Sequence, residues 1–175
     1  SSIRKKMREM RKKYFTSNEL SAWSASKNFF HKKIPSYSKI GIYWPTKYEL
    51  DTRPLIKILL EKRFRLYLPT ITNNKMSFKY WNVLDNLKYN YYQFYEPNQS
   101  AQTSKPDIIV VPLLAFDNFG YRIGYGKGFY DKYYEKNSNA NYVGYAYDFQ
   151  SINNLPVESY DLKLNSVITE SYVKD

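Results

Sequence analysis

The residues most able to do chemistry stand together in YRIGYGKGFYDKYY, residues 121–134. Gly124, Gly126 and Gly128 alternate there, half of the chain's six glycines, between Arg122 and Asp131. Glycine lets a ligand approach backbone amides without meeting a Cβ. Exposed amides that lead into a helix N-terminus form an anion seat, because the amides and the helix dipole both favour negative charge. Arg122 ahead of the glycines and Lys127 among them add full positive charges, so the stretch suits phosphate. Asp131 falls in the first turn of the helix expected over FYDKYYEK. A carboxylate there is either a favourable end charge or, beside bound phosphate, an oxygen ligand for Mg2+. The spacing is neither the dinucleotide fingerprint nor a Walker loop, and no Gly-Lys-Ser/Thr occurs. A turn that merely connects two elements is the competing reading.

Such residues need elements to hold them. Ile3, Met7, Met10 and Tyr14 recur at helical spacing, with Arg4, Arg8 and Arg11 one residue behind. One residue is about 100° of helix rotation, which puts the arginines at the edge of the apolar stripe. A second helix is expected to run to His31 from a capping box of Thr16 and Glu19. KIGIYW (39–44), FRLYLP (64–69), MSFKYW (76–81), DIIVV (107–111), YVGYAY (142–147) and SVIT (166–169) read as strands. DTRPLIKILLEKR, between the first two, reads as a helix with Asp51 or Thr52 as N-cap and Pro54 in its first turn. Residues 82–106 are polar and tyrosine-rich, and are expected to be a long loop with little regular structure. The alternation predicts one α/β domain over residues 1–175, with three layers and a mostly parallel, Rossmann-like sheet flanked by helices. Ligands bind such sheets beyond the carboxyl ends of the strands, which directs attention to the loops after Val111 and Trp44.

Composition narrows the partners. With 175 residues and 43% hydrophobic content, the chain can bury one sizeable core. No cysteine is present, which excludes disulfides and thiolate chemistry. No apolar run is long enough to cross a bilayer, and the charged start lacks the apolar stretch of a signal peptide, so a cytoplasmic, monomeric protein without a membrane partner is expected. The formal charge of +11 suggests nucleic acid, yet residues 1–13 alone hold seven basic residues and one acid, a net of +6. Charge so concentrated argues against nucleic acid as the main partner, although a protein binding nucleic acid through the basic helix stays the alternative.

The segment PDIIVVPLLAFDNFGYRIGYGKGFYDKYY resembles the signature of the 5-formyltetrahydrofolate cyclo-ligases, also called 5,10-methenyltetrahydrofolate synthetases. IRKKMREMRKKY is similar to that family's N-terminal helix, and IGIYWPTKYELDTRPLI, YLPTI, MSFKYW, Glu96-Pro97 and LPVESYDLKLNSVITE follow in the family's order. The resemblance implies ATP- and Mg2+-dependent closure of 5-formyltetrahydrofolate, with or without a polyglutamate tail, to the 5,10-methenyl compound. It places Arg4, Arg8, Arg122, Gly124, Tyr125, Gly126, Lys127, Gly128, Phe129 and Tyr130 at the nucleotide. Glu49, Arg122, Lys127 and Tyr130 would carry catalysis, and Trp44, Glu49, Tyr125 and Phe129 the folate. Asp131 and Asp161 would be the metal ligands.

By residue type alone, Glu49 could equally be a helix-start acid, Trp44 a core residue and Asp161 a turn residue. The chain departs from the family pattern where Arg4 replaces a common lysine, Phe129 a tyrosine, Tyr160 a histidine and Asn165 an acid. Those last two changes leave room for a relative that binds nucleotide without turnover.

Overall fold

The structure is a computed structural model that describes residues 2–15 and 19–175. Its elements run α1 (Ser2–Tyr14), α2 (Glu19–Phe29), β1 (Lys39–Gly41), α3 (Arg53–Glu61), β2 (Arg65–Thr72) and β3 (Lys75–Tyr80). Two-residue strands follow: β4 (Lys88–Tyr89), β5 (Tyr95–Glu96) and β6 (Thr103–Ser104). Then come β7 (Ile108–Val111), β8 (Ala115–Phe116), β9 (Arg122–Ile123), α4 (Phe129–Lys136), β10 (Asn141–Tyr145), β11 (Ser166–Ile168) and β12 (Val173–Lys174). The capping box expected of Thr16 and Glu19 lies outside the described residues and side chains.

Eight strands form one sheet in the order β12-β11-β10-β7-β1-β2-β3-β6. The five central strands are parallel, and at the flanks β12, β3 and β6 each pair antiparallel with the strand inside them. Alternate side chains of each strand leave by opposite faces. On one face Leu66, Leu68, Val110, Val143 and Ile168 pack with Ala25 and Phe29 of α2 and Leu55, Ile56 and Leu59 of α3. On the other, Tyr67, Ile109, Val111, Tyr142 and Val167 pack with Tyr133 of α4. The result is the expected three-layer α/β domain. Among the described residues no helix is long and apolar enough to cross a membrane.

Local chemistry decides where α3 starts. Asp51 Oδ1 accepts from the Arg53 amide at 2.9 Å, so Asp51 supplies the acceptor at the helix start. Thr52 occupies the cap position, but its hydroxyl is spent on the Tyr43 carbonyl at 2.8 Å, tying the helix start to the end of β1.

Residues 82–106 hold little regular structure, as expected, but they are tied down, because buried Glu96 gathers Thr70 Oγ1, the Ile71 amide, Asn90 Nδ2 and Gln99 Nε2 onto its carboxylate. Polar side chains, invisible to an apolar periodicity, organise that segment. The stretch after β7 likewise holds a hairpin of β8 and β9, whose turn is closed by Asp117. Asp117 is 1% exposed and accepts from the amides of Phe119 at 2.9 Å, Tyr121 at 3.1 Å and Leu155 at 3.1 Å.

Removing an acceptor shared by three amides, one buried and two partly so, leaves donors unsatisfied. Asp117→Ala should therefore cost about 3 kcal/mol of unfolding free energy, and Asp117→Asn less, since one acceptor oxygen remains. Urea denaturation measures both, and an unchanged midpoint in Asp117→Ala would show that the turn holds without its carboxylate.

Candidate active site

The hairpin β8–β9 and the glycine run sit beyond the carboxyl end of β7, covered by α1. Met7 of α1 is buried against Leu114, Ala115, Ile123 and Leu155, with Ile3 and Met10 packed alongside. The fourth residue of the expected stripe, Tyr14, is instead 50% exposed, and Arg11 is buried at 6%. Arg11 lies four residues after Met7, within about 40° of it around the helix, so it shares the inward face rather than the edge. The edge position predicted for Arg11 is thus corrected.

Arg4 Nε donates to the Gly124 carbonyl at 3.0 Å and Arg8 Nη2 to the Tyr125 carbonyl at 3.1 Å. Arg11 Nη1 donates to the Tyr125 hydroxyl, with its guanidinium 5.2 Å from the centre of that ring. The loop carbonyls are therefore satisfied from α1. Its amides are not: among the described residues, the N–H groups of 124–131 make no backbone–backbone hydrogen bond. Gly128, at φ 71, caps α4, and a Cβ there would meet nothing within 4 Å, so the helix start is uncovered.

Arg122 lies beneath this loop with its side chain 5% exposed. Its Nη2 is 3.7 Å from Asp131 Oδ1, and its guanidinium is 5.5 Å from the Tyr130 ring centre. A Cβ on Gly124 would stand 2.3 Å from Arg122 Nη1, so any other residue there would force the buried guanidinium to shift. Burial lowers the Arg122 pKa, and the neighbouring Asp131 charge works against that fall.

Glu49, 7% exposed, comes from the turn after β1. Its Oε1 accepts from the Thr46 amide at 2.9 Å and from the Thr46 hydroxyl. Tyr48 before it is held at φ 69, a conformation that costs a bulky residue on the order of 1 kcal/mol. Burial raises the Glu49 pKa above 4.5, against lowering by the Thr46 hydrogen bonds and the Arg11 charge. Burial and then the Glu49 charge raise Tyr125 and Tyr130. Glu49 thus stands within electrostatic reach of the loop.

The remaining expected residues are placed unevenly. Asp131 Oδ1 accepts from the Leu162 amide at 2.9 Å and faces Arg122, which leaves Oδ2 for another partner. Asp161 precedes Leu162, accepts from the Glu158 amide at 2.8 Å, and adds its charge to the field on Arg122. No group of three or more ligating side chains occurs among the described residues. Mg2+ takes one or two carboxylates and completes its shell with phosphate and water, and the open Oδ2 of Asp131 is a ligand of that type. Lys127 and Phe129 turn instead to Tyr92, with Nζ 5.8 Å from its ring centre and the two rings 5.0 Å apart. Trp44 packs edge-on against Trp81 at 5.8 Å, partly buried against the core on the α2–α3 side.

Sequence reasoning missed Tyr92, Thr46 and the inward placement of Arg11. Counting four residues on from Met7 would have found the last. A hollow of about 300 Å3 at the amino ends of β7, β10 and β11 holds His31 and Lys32, but both pair with Asp175, at 3.5 and 3.1 Å. Amides without a backbone partner gather at the glycine loop instead.

Known proteins agree with this picture. The model of the 5-formyltetrahydrofolate cyclo-ligase family matches residues 1–170. The chain is 30% identical over 164 residues to the 5-formyltetrahydrofolate cyclo-ligase of Escherichia coli strain K12, covering 89% of this chain and 90% of the relative. It is 33% identical over 138 residues to that of Haemophilus influenzae, with 74% of each chain covered. The structure of 5,10-methenyltetrahydrofolate synthetase from Aquifex aeolicus superposes with a TM-score of 0.81 at 30% identity, covering 99% of this chain and 90% of the other. With residues 1–170 matched and its glycine loop seated under a basic helix, the chain belongs to the 5-formyltetrahydrofolate cyclo-ligase family, a family of ligases.

Proposed function

We propose that the chain converts 5-formyltetrahydrofolate to 5,10-methenyltetrahydrofolate, consuming ATP with Mg2+ and releasing ADP and phosphate. The formyl oxygen attacks the γ-phosphorus and ADP departs, which turns a poor leaving oxygen into phosphate. The neighbouring folate nitrogen then attacks the activated carbon, loses its proton, and phosphate leaves.

The observation that carries this reading is the row of unengaged amides from Gly124 into α4, with Arg122 buried beneath it. Such donors are placed before the reaction begins and do not reorganise as charge develops. Arg122 adds a fixed positive charge under the seat, and Arg4 and Arg8 hold the loop in register from α1. Mg2+ held by Asp131 and Asp161 would offset the charge on the transferring phosphoryl group. Glu49, an acceptor in a buried turn, would take hydrogen bonds from the donor-rich edge of the reduced pterin. Tyr125, Tyr130 and Phe129 supply aromatic surface beside it, and Lys127, exposed at the loop, would meet the outer phosphates.

Three outcomes are expected. Purified protein given ATP, Mg2+ and 5-formyltetrahydrofolate should generate the near-ultraviolet absorbance of the methenyl product, and a folded sample without turnover would falsify the proposal. Asp131→Asn keeps an acceptor for the Leu162 amide but loses the metal ligand's charge, so kcat should fall about 100-fold or more with little change in melting temperature. Normal kcat at saturating substrate would remove Asp131 from the metal.

The third concerns pH. The Glu49 carboxyl takes its proton above 4.5, so acidification turns the acceptor into a protonated group before ordinary carboxyls titrate. The folate KM should therefore rise as pH falls through that raised value. In Glu49→Gln the KM should be high and flat across the same range, and a slope equal to that of the native protein would exonerate Glu49.

A further inference from the structure

Arg11 has no part in the reading above. Its side chain is buried, and no carboxylate lies within ion-pair distance among the described residues. Its Nε is buried without a hydrogen-bond partner. A guanidinium taken out of water normally demands close pairing, and leaving one half-satisfied is costly. What Arg11 does contact is specific: one Nη donates to the Tyr125 hydroxyl, and the cation lies against the same ring. Arg4 and Arg8, two turns and one turn earlier on α1, take main-chain carbonyls of the loop. Arg11 instead holds a side chain of the loop.

We propose that Arg11 is a positioning residue for the folate half of the site: it fixes the Tyr125 ring by hydrogen bond and stacking, and its charge faces the buried Glu49. This rests on the cyclo-ligase reading. It divides α1 functionally, with Arg4 and Arg8 serving the loop backbone and Arg11 the pterin side. Planarity makes arginine fit for both contacts at once, since a flat guanidinium can lie on a ring and still donate from its edge.

The charge has a second effect. The groups that face Glu49 are Arg11 from α1, Tyr43 and Thr46 from the segment after β1, Tyr125 from the glycine loop and Tyr130 from α4. Arg11 is the cation of this set. Thr46 and Arg11 lower the Glu49 pKa, while burial raises it. Loss of Arg11 therefore leaves Glu49 protonated to higher pH, where it no longer accepts from two donors.

Steady-state kinetics of the full chain test this across pH, with melting temperature as the control for folding. Arg11→Met should raise the folate KM about tenfold or more, leave the ATP KM within about twofold, and move the acid limb of the folate KM profile to higher pH. Arg11→Lys keeps the charge but not the planar fork, so it should raise the folate KM while the acid limb stays in place. Tyr125→Phe removes the acceptor, and combined with Arg11→Lys it should add little further loss, because both act on one contact. This pair keeps the test open should Arg11→Met not fold. Equal losses on ATP and folate, an unmoved acid limb in folded Arg11→Met, or full additivity of the pair would overturn the proposal. Absence of turnover in the native protein would count against the cyclo-ligase reading instead.

Discussion

Two carbonyl oxygens, those of Gly124 and Tyr125, are held by arginines of α1, and the orientation of the site follows from that. A trans peptide points its N–H opposite to its C=O, so binding the carbonyls from one side turns the amides of Tyr125 and Gly126 to the other. Glycine lets this happen at close range: the loop backbone lies over the Arg122 guanidinium, which a Cβ at position 124 would push aside. The arginines of α1 thus act on the loop from behind, in addition to the nucleotide contact that family resemblance implies for Arg4 and Arg8.

Charge is arranged with little neutralisation. Arg122 meets Asp131 at 3.7 Å, longer than a direct hydrogen bond, and Arg11 meets a phenol. Glu49 is satisfied by a threonine, not a cation. Three buried charges held this way cost stability, since burial penalises each charged form. The cost is tolerable because the two faces of the sheet carry their own apolar cores, independent of the loop. Charges left unneutralised by the protein remain strong toward a ligand.

The sequence made the parallel sheet and the glycine loop legible for a simple reason. Ile108–Val111 is an unbroken β-branched run, buried on both faces, and no helix competes for such a pattern. Gly124, Gly126 and Gly128 announce themselves by rarity and spacing. The segment from 82 to 106 was opaque because its order comes from Glu96 and its four polar donors, which leave no periodic trace. Trp44 illustrates another limit. Residue type and position at a strand end suit a stacking platform, yet whether the ring faces a ligand or Trp81 is decided by a partner 37 positions away.

The basic surplus of α1 divides into two populations with different physical causes. Arg4, Arg8 and Arg11 share one face, spaced by four and three residues, and each donates to the glycine loop. Lys5, Lys6, Lys12 and Lys13 are exposed on the rest of the helix. The division follows side-chain chemistry. A guanidinium is weakly hydrated and offers directional donors from a rigid plane, so it can be buried against carbonyls and a phenol, whereas an ammonium is held by its water. On α1 only Arg11 is buried, Arg4 and Arg8 reach the loop from the helix edge, and the four lysines stay in water, so three of the seven basic side chains belong to the construction of the loop.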